Sequence, residues 1–364
     1  MTDTNRINRQ EEFSGTKPVS EAHRIDEGAL TAFMAENVEG FEGPITVEQF
    51  KGGQSNPTYK ITAASGAYVL RRKPPGKLLP SAHAVDREFR VISALHAGGF
   101  PAARPYALCE DDSVIGTMFY IMDCVDGRII WEAHMPSSNP VERTAVFDAM
   151  NETIAGLHTF DYEAAGLGDF GKADGYVARQ IRRWSEQYRL SETGSIDEMN
   201  RLMAWLPDAC PASSRASLVH GDYRLDNMIL HPTEPRILAV LDWELSTLGD
   251  PIGDFTYHCM QWRMPSNKTG AGTGSLVDRD LAALGIPTLE QYVESYCKRT
   301  GIDGIDNLDF YFAYNFFRIG AILQGIVGRV RDGTATSPHA KSMARLVQPL
   351  AAVAWDYAKR AGAD

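Results

Sequence analysis

Polar residues in two neighbouring stretches of the chain have the types and the order needed to transfer a phosphoryl group. Residues 218–230 (LVHGDYRLDNMIL) hold Asp222 and Asn227 between apolar runs, and residues 237–244 (ILAVLDWE) hold Asp242 after another apolar run. Short apolar runs of this kind predict buried strands, so the polar residues should lie at strand ends. In phosphoryl transfer an Asp receives the substrate hydroxyl, while an Asn and a second Asp bind Mg²⁺. The sequence therefore predicts Asp222, Asn227 and Asp242 as catalytic residues, with Asn227 and Asp242 as metal ligands.

These motifs resemble the aminoglycoside phosphotransferase and choline kinase group. The resemblance implies an α+β, protein-kinase-like fold with two lobes: a small N-lobe on an antiparallel sheet and a larger, mostly helical C-lobe. It also implies ATP as the cofactor, with GTP left open, together with Mg²⁺. We expect residues 1–27 to be a flexible segment, residues 28–124 to form the N-lobe and residues 125–364 to form the C-lobe.

The same resemblance assigns nucleotide contacts to residues upstream of the catalytic loop. They come from a glycine-containing loop, from a strand, from a helix and from the hinge between the lobes. The cofactor-binding residues that it implies are Gly52, Gly53, Ser55, Asn56, Arg71, Glu88, Asp123, Cys124 and Val125. Arg71 departs from the family pattern, which has a lysine at this position. Arginine keeps the positive charge and adds a planar fork of donors, so we expect the phosphate contact to remain with altered geometry.

Local patterns indicate how Arg71 and Glu88 are positioned. Residues 67–71 alternate as a strand, which places Arg71 and Arg72 on opposite faces, and we expect Arg72 to be solvated. Residues 86–96 carry apolar side chains at helical spacing. The resemblance implies that Glu88 pairs with Arg71 from this helix.

Several acidic and histidine residues are expected to support the catalytic loop. Asp250 is predicted to tie the loop together through backbone amides, and Asp254, about one helical turn later, to share that task. His220 is expected to steady the loop. We interpret His158 as a packed histidine with Asp161 as its hydrogen-bond partner.

The identity of the acceptor is indicated only by resemblance. Residues 70–89 look less like antibiotic-modifying enzymes than like the kinase-like domain fused to certain acyl-CoA dehydrogenases, a similarity that runs from residue 40 to residue 331. It implies a hydroxylated acyl metabolite as the small-molecule acceptor and a functional link in trans to an acyl-CoA dehydrogenase. An aminoglycoside acceptor and a catalytically silent, nucleotide-binding pseudokinase are the alternatives. The substrate candidates are Asp226, Glu244, Trp262 and Arg318, the last as an anchor for an anion or as a surface ion pair.

Composition restricts the partners of the chain. A formal net charge of −11 over 364 residues repels phosphate backbones, so we expect no nucleic-acid partner. Five cysteines without close spacing argue against a disulfide framework or a zinc site. The first 27 residues lack the apolar core of a signal peptide, and no run is long enough to span a membrane, so we expect a cytoplasmic protein without membrane contact.

Overall fold

A computed structural model describes residues 9–52, 56–74, 83–212, 215–265, 274–333 and 340–364. The N-lobe has a small hydrophobic core of its own, and a second, larger core fills the C-lobe and extends to the helix at residues 85–97. The expected α+β architecture with two lobes is confirmed. Among the described residues, no helix has both the length and the apolar character that crossing a bilayer requires. The five cysteines are free thiols.

A six-stranded sheet in the spatial order β1-β2-β3-β4-β6-β5 forms the N-lobe, and all its neighbouring strands are antiparallel. The strands are β1 (Thr16–Lys17), β2 (Thr46–Phe50), β3 (Thr58–Ala63), β4 (Gly66–Arg72), β5 (Pro105–Cys109) and β6 (Phe119–Asp123). The inner strand β4 is buried on both faces from residue 68 to residue 72. An inner strand covered on both sides carries no solvated side chain.

The expected exposure of Arg72 was therefore wrong. Arg72 is 3% exposed, its Nη2 donates a hydrogen bond to the carbonyl oxygen of His23 at 3.2 Å, and its guanidinium lies over the ring of Tyr59. Strand alternation does put Arg71 and Arg72 on opposite faces, but the face of Arg72 is covered by the segment that contains His23. The contact that buries Arg72 thus comes from the first part of the chain.

Helices cover this sheet and connect it to the C-lobe. They are α1 (Arg9–Phe13), α2 (Glu27–Asn37), α3 (Val85–Ala97) and α4 (Asp112–Ile115). In α3 the residues Val91, Ile92 and Leu95 are buried, as their helical spacing predicts. Because the core of the C-lobe includes these side chains, α3 is held between the two lobes.

The segment that we expected to be mobile carries secondary structure where it is described. Thr16 and Lys17 form β1, the edge strand, and pair with Phe50 and Gln49 of β2. The side chain of Phe13 contacts the ring of Trp131 in the C-lobe, with 5.3 Å between the ring centroids. Residues 13–17 are thus attached to both lobes.

Eight helices in the described ranges make up most of the C-lobe. They are α5 (Pro140–His158), α6 (Tyr176–Ser191), α7 (Asp197–Ala209), α8 (Pro251–Cys259), α9 (Leu281–Leu284), α10 (Leu289–Thr300), α11 (Leu308–Arg331) and α12 (Ala340–Arg360). The nine residues from Phe310 to Arg318 in α11 are all buried. A helix surrounded by apolar contacts on every side lies inside the lobe and not at its surface.

Two small antiparallel sheets of two strands each position the catalytic loops in the C-lobe. Strand β7 (Ser217–Val219) pairs with β10 (Thr247–Gly249), and β8 (Met228–Leu230) pairs with β9 (Ile237–Val240). The loop from β7 to β8 carries Asp222 and Asn227, and Asp242 follows β9. These strands are short and apolar, as their sequence predicts.

Candidate active site

A cleft of about 1290 Å³ is lined by residues of both lobes. The N-lobe contributes side chains of β2, β3, β4 and β6, and the C-lobe contributes residues 125–132 and 135–138 and the ends of β8 and β9. Arg71, Asn227 and Asp242 are all among the lining residues. Arg71 of the N-lobe is thus brought to the same cavity as Asn227 and Asp242 of the C-lobe.

The loop between β7 and β8 requires a glycine directly before Asp222. Gly221 has a φ of 86°, and a Cβ atom at this position would lie 2.9 Å from Cβ of Leu245. Glycine meets both conditions without strain. Beyond this turn, Nδ2 of Asn227 donates hydrogen bonds to the carbonyl oxygen and to Oδ2 of Asp222, at 2.9 and 3.1 Å. The two side chains that we predicted to act together are therefore fixed to each other.

Two further side chains contact the other carboxylate oxygen of Asp222. The hydroxyl of Tyr257 on α8 donates a hydrogen bond to Oδ1 at 2.6 Å, and Nε of Arg224 lies 3.3 Å from the same atom. Burial and the charge of Asp222 raise the pKa of Tyr257, so its hydroxyl remains a donor. Sequence reasoning missed both residues, since neither belongs to the phosphotransfer pattern.

Asp250 and Asp254 were both expected to bind backbone amides of the catalytic loop, but they have different partners. Oδ2 and Oδ1 of Asp254 accept hydrogen bonds from the backbone amides of His220 and Gly221, both at 2.8 Å. Burial alone would raise the pKa of Asp254, but the hydrogen bonds and charge of the nearby histidines bring it below its ordinary value. Asp250 instead caps the N-terminus of α8 by accepting from the amides of Ile252 and Gly253. Of these two aspartates, Asp254 is the one that ties the catalytic loop.

The two histidines have structural contacts, as expected, although one partner differs. His158 lies 3.2 Å from Oδ2 of Asp254 through Nε2 and 2.7 Å from the hydroxyl of Tyr296 through Nδ1. Its expected partner, Asp161, accepts from the amide of Ala164 instead. His220 spans the loop, because its Nε2 bonds to the carbonyl oxygen of Leu241 and its Nδ1 accepts from the amide of Asp222.

Arg318 and Trp262 lie in the interior of the C-lobe, which corrects their expected place beside a substrate. Nη2 of Arg318 donates to the carbonyl oxygen of Gly221 at 2.9 Å, and the guanidinium lies over the ring of Tyr257. Trp262 is 3% exposed and donates from Nε1 to the carbonyl oxygen of Pro287. Arg318 is therefore neither a surface ion pair nor an open anion anchor; it holds the backbone next to Asp222.

Asp242 has a strained backbone and an ion pair that links the lobes. Its φ of 66° lies in the left-handed region, which non-glycine residues adopt rarely and often at functional sites. Oδ1 of Asp242 accepts a hydrogen bond from Nη2 of Arg71 at 2.8 Å. The same nitrogen lies 3.3 Å from Oε2 of Glu244. Glu244, which we named as a substrate candidate, thus lies beside the expected nucleotide residue Arg71.

The expected pair of Arg71 with Glu88 is present. Nε of Arg71 donates to Oε2 of Glu88 at 2.6 Å, and Glu88 is 2% exposed. Glu88 also accepts from Nδ2 of Asn56 at 2.7 Å and from the hydroxyl of Tyr120 at 3.1 Å. Burial raises the pKa of Glu88, and the charge of Arg71 opposes that rise. A buried carboxylate with three donors fixes the direction of the Arg71 guanidinium.

The remaining expected nucleotide residues lie along the cleft where they are described. Gly52, Asp123, Cys124 and Val125 are among its lining residues. Gly53 and Ser55 lie outside the described residues. The cleft therefore extends from the loop after β2 to the chain segment that joins the lobes. The role of these residues in nucleotide binding stays a prediction.

A small cavity of about 20 Å³ lies beside the catalytic loop and has both polar and apolar lining residues. Arg224, Asp226, Tyr257 and Trp131 contribute to it, and Trp131 and Asp226 also line the large cleft. Asp226 is 8% exposed, with Oδ2 3.3 Å from Nη2 of Arg224. The substrate candidate Asp226 is thus a buried, paired carboxylate at the junction of the two spaces.

The donor set in the cleft suits a magnesium ion. Mg²⁺ takes oxygen ligands, retains water and is held by one or two carboxylates together with phosphates. Asn227 uses Nδ2 within its own loop, so Oδ1 is its uncommitted atom. Asp242 engages Arg71 through Oδ1. One amide oxygen and one carboxylate are therefore available from the two residues that the sequence assigned to the metal.

An antiparallel N-lobe sheet, a helical C-lobe and a cleft lined by Arg71, Asn227 and Asp242 define the class of kinase-like phosphotransferase folds. Residues 46–297 match the model of the phosphotransferase enzyme family, and the chain belongs to this family. The resemblance inferred from the catalytic motifs is confirmed.

Solved structures agree on the fold. One of them, a candidate aminoglycoside phosphotransferase from Ralstonia eutropha, is 51% identical and superposes with a TM-score of 0.85, covering 93% of this chain and 99% of that chain. Choline kinase from Cryptosporidium parvum is 12% identical with a TM-score of 0.61, covering 92% of this chain and 96% of that one. The second likeness shows the fold alone.

Curated relatives are longer than this chain. Acyl-CoA dehydrogenase family member 10 of Mus musculus is 45% identical over 348 residues, which are 95% of this chain and 32% of that protein. Acyl-CoA dehydrogenase family member 11 of Gallus gallus is 41% identical over 352 residues, again 95% of this chain and 45% of that protein. The chain thus spans less than half the length of these relatives.

Proposed function

We propose that the chain is a small-molecule kinase that transfers the γ-phosphate of Mg·ATP to a hydroxyl group of a metabolite. One observation carries the proposal: Arg71, Asn227 and Asp242 line a single cleft, and Asp222 is bonded to Asn227 at its edge. These are the residue types that phosphoryl transfer requires. Membership of the phosphotransferase enzyme family supports the same reaction class.

Each residue has a defined task in this proposal. Asp222 orients the acceptor hydroxyl toward the γ-phosphorus, and its own direction is set by Asn227 and Tyr257. Arg71, held by Glu88, contacts the phosphates. Asn227 and Asp242 would hold Mg²⁺, which when bound neutralises phosphate charge. Positioning supplies most of the rate, because the transition state is loose and needs little covalent help from the protein.

For the acceptor we propose a hydroxylated acyl compound. The support is that relatives at 45% and 41% identity bear the name acyl-CoA dehydrogenase family member and match this chain over 95% of its length. A functional link to an acyl-CoA dehydrogenase belongs to the same proposal. An aminoglycoside is the second candidate, because the Ralstonia eutropha structure at 51% identity bears that name.

The test combines a transfer assay with a binding assay. Transfer from [γ-³²P]ATP is measured with 3-hydroxybutyrate, 3-hydroxybutyryl-CoA and kanamycin as acceptors. Calorimetry follows AMP-PNP with and without Mg²⁺. The variants are Asp222→Asn and, as a matched control, Asp197→Asn at an exposed carboxylate paired with Arg201.

We expect Asp222→Asn to abolish transfer while the dissociation constant of AMP-PNP changes less than twofold, and Asp197→Asn to behave as the wild type. Normal turnover of Asp222→Asn would remove Asp222 from the mechanism. Transfer to kanamycin alone would move the assignment to the second candidate. Metal-dependent nucleotide binding without transfer to any acceptor would favour the pseudokinase alternative.

A further inference from the structure

The segment formed by residues 10–16, here called the strap, lines the large cleft. Trp131 of the C-lobe lines the same cleft. The strap residues in its wall are Gln10, Phe13, Ser14, Gly15 and Thr16. The strap is absent from the phosphotransfer pattern that identified the site. Its position nevertheless makes it part of the cavity that holds Arg71, Asn227 and Asp242.

On the N-lobe side, backbone pairing holds the strap. Thr16 pairs with Phe50 in the sheet, and the amide of Lys51 donates to the carbonyl oxygen of Gly15 at 3.1 Å. A Cβ atom on Gly52 would lie 3.5 Å from the carbonyl oxygen of Phe13. The strap therefore lies directly against the first glycine of the loop to which the sequence assigns the phosphates.

On the C-lobe side, side-chain contacts hold the strap. The rings of Phe13 and Trp131 are 5.3 Å apart, and Nε1 of Trp131 donates to Oγ of Ser14 at 3.1 Å. Nε2 of Gln10 donates to the carbonyl oxygen of Ile129 at 3.2 Å. These partners follow directly after the segment that joins the lobes. The strap is thus a second connection between the N-lobe and the C-lobe.

The two sets of contacts differ in how easily they are broken. The C-lobe contacts described above, a ring pair and two hydrogen bonds of partly exposed side chains, are individually weak. The N-lobe contacts belong to a sheet. Between them lies Gly15, which has a φ of 82°, and no atom of the described residues lies within 4 Å of a Cβ placed on it. Glycine in this conformation can rotate at little steric cost, so the strap can leave Trp131 while Thr16 stays paired.

We propose that the strap is a movable wall of the nucleotide site. It closes over a bound nucleoside triphosphate by binding Trp131, and it opens at Gly15 to admit and release the nucleotide. This inference rests on the proposed nucleotide site in the cleft. It assigns a function to residues 10–16 that is independent of the identity of the acceptor.

Stopped-flow kinetics with a fluorescent nucleotide test the strap. Association and dissociation of mant-ATP with Mg²⁺ are measured for the wild type, Phe13→Ala and Ser14→Ala. Phe41→Ala is the matched control, because it removes a ring contact with Tyr68, at 6.0 Å, in the N-lobe core. Phe13→Ala removes the ring contact with Trp131, and Ser14→Ala removes the hydrogen bond.

If the strap must open for passage in either direction, a weaker closed state raises both rate constants together. We expect both to rise about threefold to tenfold in Phe13→Ala and somewhat less in Ser14→Ala, from the size of one lost contact. The dissociation constant should stay within twofold, and Phe41→Ala should match the wild type. A purely structural role would lower the unfolding temperature without accelerating both steps.

Rate constants within twofold of the wild type in both strap variants would overturn the inference. So would an increase in dissociation alone, since that would make the strap an ordinary contact to the nucleotide. If both rate constants of mant-ATP rise as expected but no acceptor is phosphorylated, the proposed reaction would be refuted and the strap inference would be supported. If mant-ATP does not bind the wild type, the nucleotide site and the strap inference fail together.

Discussion

Replacement of Tyr257 by Phe removes one hydrogen-bond donor from the carboxylate of Asp222 and keeps the aromatic ring. The lost bond, at 2.6 Å to Oδ1, is made to a charged acceptor, and such bonds contribute about 1.5–3 kcal/mol. Arg224 and Asn227 still contact Asp222, so the loss should lie at the lower end of that range. About 1.5 kcal/mol corresponds to a roughly tenfold lower rate. We therefore expect kcat to fall about tenfold in Tyr257→Phe.

The binding of nucleotide should be unaffected, because Tyr257 lines the small cavity and is not among the residues that line the large cleft. Stability should change little as well. The side chain of Asp222 is 21% exposed, so water can replace the lost donor, and the ring beneath Arg318 remains. Steady-state kinetics with the acceptor identified by the transfer assay, together with calorimetry of AMP-PNP, separate these quantities.

Tyr311→Phe is a matched control. It removes the hydrogen bond from another buried tyrosine to an aspartate, at 2.9 Å to Oδ2 of Asp250, without touching Asp222. This control should lose stability and keep its kcat. An unchanged or higher kcat in Tyr257→Phe would refute the reasoning, since it would show that the hydroxyl does not orient Asp222 or that it obstructs the acceptor.

Two further predictions concern the cleft and the core. The guanidinium of Arg71 bonds Glu88 through Nε and Asp242 through Nη2, and a single ammonium in Arg71→Lys cannot replace both bonds. The dissociation constant of Mg·AMP-PNP should therefore rise about tenfold in this variant. A change of less than twofold in calorimetry would contradict this. Burial lowers the pKa of His258 from 6.5 to about 4, so its imidazole is neutral in the fold. Its Nδ1 donates to the carbonyl oxygen of Tyr223, and its Nε2 accepts from the hydroxyl of Tyr292. Below pH 6.5 the imidazole of this residue takes up a proton in the unfolded chain but not in the fold. The free energy of unfolding is therefore unaffected by this group above pH 6.5 and declines by about 3 kcal/mol toward pH 4. Between pH 7 and pH 4.5, the free energy of chemical unfolding should fall less in His258→Gln than in the wild type. Equal falls would show that His258 is not the source of the pH dependence.

Local signals in the sequence account for the parts of the site that were predicted correctly. Asp222 and Asn227 lie on one short loop between apolar strands, and Asp242 lies two residues after the end of the next strand, so their proximity needs only local structure. The pair of Arg71 with Glu88 followed from the resemblance to the kinase-like family, and the structure shows it at 2.6 Å.

Contacts between distant elements were not predictable in the same way. Tyr257 and Arg318 reach the catalytic loop from helices α8 and α11, and the hydrophobic pattern of a helix does not specify which loop its polar residues meet. Arg318 did carry a signal. The residues from 310 to 317 are nearly all apolar, which indicates a helix buried on all sides and therefore a paired arginine.

The division of roles between Asp250 and Asp254 also had a local signal. Asp250 precedes Pro251, and an Asp before a proline at the first helical position is typical of an N-cap. A capping side chain is occupied by the amides of its own helix. The other oxygen of Asp250, Oδ2, accepts from the hydroxyl of Tyr311, so both oxygens are occupied and the loop amides are bound by Asp254 one turn later.

Arginine at position 71 has a consequence for chemical labelling. Reagents that identify nucleotide sites by acylating a lysine amine need a nucleophilic nitrogen, and a guanidinium remains protonated and unreactive. The charge of Glu88, Asp242 and Glu244 holds the pKa of Arg71 above its ordinary value, although burial opposes this. Among the described residues that line this cleft, Lys60 carries an amine. Acyl-phosphate probes of ATP sites should therefore not modify position 71, and among the described residues of this cleft they should modify Lys60.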